Sequence, residues 1–393
     1  MNGAARISFG GFLATAVAYG PARMGFGLFL PQFRETFGLS LQTAGFIAGG
    51  AFAAFLAALL AAAAAAGRAE PRALVVAGCA AGTLGLAIVA AAPGTAALAA
   101  GTALAAMSAG LAWTPFNTAT RLSVRPALQP RVLAVVSTGT TLGIAAAATL
   151  ALGVALSGLS WRTSWAVFAA AGAVATFVNV VALGRQTPDS APRDMPLSRQ
   201  IGPLRASPGR EVALAAFSFG ATSAVYLSFA ADHVAGAGGL PGLPRETAGA
   251  AVFLSFGIGG IVGLATGEAE RRTGIAPLMV GIFLASGMSM ALLAALPGSW
   301  PAVAVSAALQ GACLMAISAL FSLATLRLFP SAPARGFCAV LTVFATGNVL
   351  ATALAGIAAE RAGLAATHGA AAALSVATAL ALALRPVRVP PDS

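Results

Sequence analysis

The sequence predicts an all-α membrane protein: twelve transmembrane helices forming two pseudo-symmetric six-helix bundles, with both termini cytoplasmic. Three observations predict it, namely an apolar composition almost free of charge, twelve windows of bilayer-spanning length, and an internal repeat at a nearly constant offset. The 393 residues are 59% hydrophobic and 8% charged, with a mean hydropathy of +0.89. Soluble domains carry roughly 25% charged residues.

A hydrocarbon core of about 30 Å takes about 20 apolar residues per helix. Windows of that size, separated by Arg, Pro or Gly clusters, fall at 7 to 32, 41 to 66, 73 to 92, 95 to 119, 132 to 156, 161 to 184, 211 to 234, 247 to 267, 275 to 296, 300 to 326, 336 to 359 and 364 to 385. The run after Arg6 is too long for a signal peptide and lacks a small-residue cleavage site, so it reads as the first span. Alanine runs such as Ala61 to Ala66 read as packing surface, because small residues let helices approach closely in lipid. One long polar connection, 185 to 210, holds five prolines and five arginines. It divides the chain into an N-terminal bundle at 1–184, a cytoplasmic linker at 185–210 and a C-terminal bundle at 211–393.

The net charge of +11 comes from 22 arginines and no lysine. With both termini inside, 17 of these arginines fall in the termini and even-numbered loops and only Arg34, Arg162, Arg245 and Arg361 fall outside. This is the positive-inside pattern. It accounts for the charge as a topology device and leaves no reason to invoke nucleic acid. The three cysteines, Cys79, Cys313 and Cys338, lie in apolar runs with no metal-ligand spacing.

The halves repeat each other. Thr43-Ala44-Gly45 matches Thr247-Ala248-Gly249. Ala119-Thr120-Arg121, a proline loop and Thr138-Gly139 match Ala324-Thr325-Leu326-Arg327, a proline loop and Thr346-Gly347. The only two tyrosines, Tyr19 and Tyr226, stand at the same offset in the first and seventh spans. Parallel repeats of this kind are a transporter architecture, with binding expected near the midplane between the halves.

Two motifs carry a family resemblance. Gly158-Leu159-Ser160-Trp161-Arg162-Thr163-Ser164-Trp165, followed by Gly172, resembles the GWRxxF…G opening of the sixth helix in the major facilitator superfamily. Gly267-Glu268-Ala269-Glu270-Arg271-Arg272-Thr273-Gly274 is similar to that family's cytoplasmic loop pattern GxxxDRxG, with the acid one position early and Arg271 in the Asp place. The first-half loop, Gly67-Arg68-Ala69-Glu70-Pro71-Arg72, is more degenerate. The fourth span has Gly101 and Thr102 where many drug and proton antiporters carry an Arg. The fifth has Gly139-x-x-x-Gly143 without a following Pro. Both departures argue against a proton-driven multidrug exporter. The resemblance implies a cavity lined by spans 1, 2, 4, 5, 7, 8, 10 and 11, with 3, 6, 9 and 12 peripheral.

The strongly polar residues within spans fall mainly where this scheme puts the cavity: Arg23, Asn117, Gln310 and Asn348, with Tyr19 and Tyr226. Asn179 in the sixth span is the exception and is expected near a membrane face. An Arg within a transmembrane helix costs roughly 2.5–3.5 kcal/mol on insertion scales and so faces a partner or a water-filled cavity. Thr15, Tyr19 and Arg23 are spaced four apart, which stacks them on one helix face, and Pro21 predicts a break at this stripe. Arg23 then reads either as an anchor for an anionic group, flanked by Tyr19 and Tyr226, or as a snorkelling or ion-paired structural residue. Asn117, Gln310 and Asn348 read as substrate contacts or interhelical hydrogen bonds. Asp232 ends the seventh span and reads as a gate partner of Arg23, as a proton carrier, or simply as a helix end in water. Trp161, Trp165 and Trp300 are expected at the interfaces as anchors. The helix-eight glycines read as close-packing surface and not as a phosphate cradle.

No buried carboxylate pair, HExxH or Ser/His/Asp set points to an enzyme. His233 and His368 lie at helix ends far apart in sequence and suggest no metal site, and no cofactor is implied. The expected function is secondary transport of a small organic solute across the bacterial inner membrane by alternating access, by a functional monomer embedded in the lipid bilayer. Because the one buried fixed charge is positive, the cargo is expected to be anionic or carboxylate-bearing. Efflux of amphipathic drug-like compounds is the alternative, and a non-transporting membrane sensor is a second. A coupling proton has only Asp232 as a carrier.

Overall fold

A computed structural model describes residues 3–65, 68–184, 204, 207–329 and 333–387, and all regular structure among them is helical. The expected first span is three helices, α1 (Gly3–Tyr19), α2 (Pro21–Leu28) and α3 (Leu30–Phe37). The first break falls at Gly20, whose ψ of −104° leaves the helix just before Pro21 restarts it. The second, at Phe29, was not expected. Pro31 supplies its cause, since a proline lacks the N–H that would bond four residues back and its ring crowds that carbonyl. Gly38, at φ +64°, ends the segment in the left-handed conformation that favours glycine.

The chain continues through α4 (Leu41–Ala65), α5 (Pro71–Ala90), α6 (Thr95–Ser123), α7 (Gln129–Leu156) and α8 (Trp161–Ala182). Beyond the connection come α9 (Gly209–Gly236) and α10 (Ala248–Gly260), which runs through a 3-10 turn (Ile261–Ala265) into α11 (Thr266–Thr273). Then follow α12 (Ile275–Ala295), α13 (Trp300–Leu328) and α14 (Pro333–Leu384). Helix α14 contains Gly363 at φ +83°, a non-helical residue that separates its two arms. Among the described residues, ten helical stretches are long and apolar enough to cross a membrane. Large apolar side chains such as Phe177 (69% exposed) and Leu380 (59%) face outward, the placement expected in lipid.

The chain falls into two compact units. The first is Met1–Leu39, Gly50–Asp194 and Gly249–Leu254, and the second is Ser40–Gly49, Met195–Ala248 and Ser255–Ser393. Most of the 185–210 connection lies outside the described residues.

In the first unit α1 packs along α7, and α5 along α6 and α8. A Cβ at Gly139 of α7 would meet the Phe12 carbonyl oxygen of α1 at 2.5 Å. In the second unit α9 packs along α14, and a Cβ at Gly347 would strike the Phe217 carbonyl. The Thr138-Gly139 and Thr346-Gly347 match therefore marks the same device in each unit, a glycine where two backbones touch. The helix-eight glycines do pack closely: Gly259 abuts Ala308 and Gly263 abuts Met315.

Two side chains sit differently from expectation. Trp165 is fully buried, ringed by Phe29, Phe33 and Phe168 with Gly25 beneath it, so it is core and not an interfacial anchor. Trp161 meets Phe33 edge to face at 4.9 Å and donates to Thr36 Oγ1. The WRTSW motif thus caps the broken first segment with an aromatic cluster. Asn179 lies near the end of α8, as expected, but is fully buried, its Nδ2 donating to the Gly10 carbonyl at 2.9 Å, so it ties α8 to α1.

Candidate substrate site

The break at Gly20 sets the site. Restarting the helix at Pro21 places Arg23 on the first turn of α2, half-buried, with Cζ 4.3 Å from the Phe55 ring centroid on α4 and 5.6 Å from that of Tyr19. Its Nε is buried without a hydrogen-bond partner, and no described carboxylate of the first unit pairs with it. A guanidinium over an aromatic face is held by the ring quadrupole, which leaves its charge available to an anion. Tyr19 donates a long hydrogen bond of 3.4 Å to the Ala109 carbonyl on α6. Thr15 leaves the stripe: it is fully buried, and its Oγ1 donates to the Val136 carbonyl of α7 at 2.6 Å. The spacing of four therefore puts Tyr19 and Arg23 together but not Thr15. Asn117 is half-buried on α6, just past Pro115, which lies inside that helix.

The second-unit candidates divide. Tyr226 is fully buried, with its hydroxyl 3.2 Å from Ser306 Oγ. Gln310, also fully buried, accepts from Ser286 Oγ at 3.1 Å. Ser286 and Ser289 of α12 and Ser306 of α13 form this polar seam, and Ser289 and Ser306 each donate to the other's carbonyl at 2.7 Å. Ser286 of the ninth span is thus the partner of Gln310, and Ser306 of the tenth is the partner of Tyr226. Asn348 is fully buried, and neither its Oδ1 nor its Nδ2 has a partner. Asp232 is buried near the end of α9, and Ala230, at Arg23's repeat position, is fully buried.

The loop motif holds charge in a shifted register. Glu268 pairs with Arg271 and with Arg272, the latter at 2.7 Å, while Glu270 pairs with Arg327 at 3.0 Å. Gly274 closes the helix at φ +82°. Gly67, of the first-half loop, lies outside the described residues. A separate hollow of about 480 Å³ lies in the first unit beside Ser8, Phe12 and Arg131, and none of the candidate residues lines it. Phe55 is not distinguished by the sequence because it is one of three phenylalanines in an alanine-rich span, where each looks like packing. A stacked pair, His233 and His368, escaped because only tertiary structure brings the two rings together.

The sequence matches the family described as "Uncharacterised MFS-type transporter YbfB" over residues 15–384. The chain belongs to this family. It is a multi-pass integral membrane transporter of the YbfB type, and its relatives in fold are transporters and not enzymes. The nucleoside transporter NupG superposes with a TM-score of 0.77 at 15% identity, over 99% of this chain and 100% of that one. A POT family transporter in complex with 5-aminolevulinic acid gives 0.76 at 12% identity, over 97% and 95%. A bacterial homolog of the human lysosomal transporter Spinster gives 0.66 at 16% identity, over 98% and 95%. At these identities the likeness establishes the fold alone. No curated protein matches the sequence significantly.

Proposed function

We propose that this YbfB-type protein moves a small organic solute, anionic or carboxylate-bearing, across the bacterial inner membrane by alternating access, with the solute's charged group held at Arg23. The observation that carries this reading is the Arg23 guanidinium, seated on Phe55 and Tyr19 with no described first-unit carboxylate opposite it. A guanidinium fork fits a carboxylate bidentately, and a dehydrated setting strengthens that pairing. Counting α1 to α3 as one interrupted crossing and the two arms of α14 as two gives twelve crossings, and the arginine distribution favours cytoplasmic termini. Asn117 joins the proposed site from the first unit. Of the second-unit candidates Asn348 has the strongest claim on cargo, since neither end of its amide has a partner, while a serine holds the Tyr226 hydroxyl and another the Gln310 Oε1, leaving only Gln310 Nε2 open. Asp232 stays in the proposal as a gate or coupling acid, and the monomer as the working unit.

A thermal-shift screen with organic anions and drug-like cations, run on the purified protein and on Arg23→Ala, tests the reading. Anions should raise the unfolding temperature of the parent and leave that of the variant unchanged. Anion stabilisation that survives in Arg23→Ala would overturn the site. Stabilisation by the cations alone would favour drug-like efflux.

A further inference from the structure

The hollow of about 480 Å³ in the first unit lies between the starts of α1 and α7. Its walls are mostly apolar, with Phe9 and Phe12 on one side and Val132 and Val135 on the other, and Arg131 is the one charged residue that lines it. The Arg131 side chain is exposed and makes no hydrogen bond or ion pair with any described residue. The arginine on α1 nearest the hollow, Arg6, is engaged elsewhere, donating to the Val181 carbonyl at 2.9 Å.

Beyond the hollow, the accessible surface of α1 keeps to one face. Phe9 is exposed, and Phe12, Ala16 and Tyr19 are half-buried at steps of three and four residues, while Gly10, Gly11, Ala14 and Thr15 on the other side are buried. This face ends at Arg23, whose Cζ lies 5.6 Å from the Tyr19 ring centroid. A guanidinium inside a span faces a partner or water and not lipid. The face that leads to it is therefore wet, and α7 borders it with Arg131 and Val135 exposed and Thr138 half-buried. At 1.5 Å per residue, Ser8 in the hollow wall and Arg23 stand about 20 Å apart along the helix.

We propose that the hollow is the cytoplasmic vestibule of the path to Arg23, and that Arg131 draws small organic anions into it and turns cations away, a role that rests on anion binding at Arg23. Low-dielectric walls carrying charge of one sign focus the field along a cleft and raise the local concentration of the opposite ion. The residues lining the hollow supply that combination, one cation and no acid among apolar side chains. About 20 Å is more than two Debye lengths at physiological salt, so the Arg131 charge acts on the arrival of an anion and little on its affinity once it reaches Arg23. The arginine distribution favours the cytoplasmic side for the starts of both helices.

Charged thiol reagents read this path without any cargo. Cys79, Cys313 and Cys338 are all buried, so the parent protein serves as the blank. In inside-out membrane vesicles, Ala16→Cys, which lies beyond the hollow, should react faster with a sulfonate-bearing methanethiosulfonate than with its trimethylammonium counterpart, each rate being divided by that of a free thiol in solution. Arg131→Gln should lower this anion preference by about threefold or more, Arg131→Lys should restore it, and about 1 M salt should erase it. Ser8→Cys, a near-isosteric change in the hollow wall, carries the same measurement if Ala16→Cys does not fold. Thiols that neither reagent reaches, or that are reached only from the outer side, would overturn the path. An anion preference unchanged in Arg131→Gln would overturn the role of Arg131. The thermal-shift comparison with Arg23→Ala judges the cargo site separately: a charge-selective path in a protein that anions do not stabilise would remove the anion from Arg23 and leave the vestibule in place.

Discussion

Glu270 and Arg327 form an ion pair in which Oε1 and Nη1 are 3.0 Å apart, joining the short helix α11 to the end of α13. Glu270 is nearly buried while Arg327 keeps about a fifth of its exposure, so water screens the pair only in part. The carboxylate stands one position before the place of the superfamily's usual acid, yet it reaches an arginine from a neighbouring helix. Removing it takes an ion-pair partner from a poorly hydrated guanidinium. Fully buried cases of this kind cost roughly 3–5 kcal/mol, and the exposure of Arg327 lowers the expectation for Glu270→Gln to about 2 kcal/mol. Thermal unfolding in detergent should show that loss. Glu268→Gln, whose carboxylate is solvent-exposed and pairs only with exposed arginines, should unfold with the parent.

Phe55 is predicted to matter to the cargo and little to the fold. Its ring lies beneath the Arg23 guanidinium, a contact worth about 0.5–2 kcal/mol depending on desolvation. Phe55→Leu keeps an apolar side chain on α4 but loses the ring face. Anion affinity should fall about 3- to 30-fold in titrations of the purified protein, and Phe55→Tyr should retain it. Arg23→Lys should not rescue Arg23→Ala, because an ammonium cannot offer the planar fork. Full rescue by lysine would show that a point charge is enough.

The glycine contacts give a paired prediction, one in each unit. A Cβ at Gly139 would meet Thr15 Oγ1 and the Phe12 carbonyl, and one at Gly347 would meet the Phe217 carbonyl and Ala221 N. Backbone atoms cannot swing aside as a flexible side chain can, so the helices must part. Gly139→Ala and Gly347→Ala should each lower stability by about 1–3 kcal/mol. Gly153→Ala, on the same helix as Gly139 but with open space around it, should be neutral or stabilise by up to about 1 kcal/mol. Thermal unfolding of the three variants would separate close packing from the intrinsic cost of glycine in a helix.

How much of this was legible before the structure depended on the range of each signal. Hydropathy and the proline at 21 act within one helix, so the apolar stretches and the break at Gly20 could be read directly. The Thr-Gly match could be read as a repeat, but its cause, two backbones in contact, is tertiary. The break at Phe29 escaped because Pro31 was placed at the end of a continuous span, where a proline is harmless. Trp165 escaped because an amphipathic side chain near a helix start fits a membrane interface as well as a core, and only the ring of Phe29, Phe33 and Phe168 decides between them. Thr15 was grouped with Tyr19 and Arg23 by spacing alone. Spacing fixes the face only roughly and says nothing of the neighbour across it: Thr15 shares the unbroken α1 with Tyr19, but its hydroxyl is taken by the Val136 carbonyl of α7, a tertiary contact.

The two tyrosines, equivalent in the repeat, are predicted to part in function. Tyr19 is half-buried beside the guanidinium, and its hydroxyl makes only a long bond to the Ala109 carbonyl. Tyr226 is fully buried, and its hydroxyl meets Ser306 in a seam that Ser289 also closes. Tyr19→Phe keeps the ring that Arg23 rests on and should bind anions as the parent does, whereas Tyr19→Ala should bind them more weakly. Tyr226→Phe removes a hydrogen bond inside the second unit and should cost about 1 kcal/mol of stability. Its effect on anion affinity decides the role of Tyr226. Unchanged affinity would assign it to the seam, and a tenfold loss without a matching loss of stability would put its hydroxyl on the cargo. The same pair of measurements on Asn348→Ala provides the contrast. No partner is lost there, so a fall in affinity with stability retained is the expected outcome.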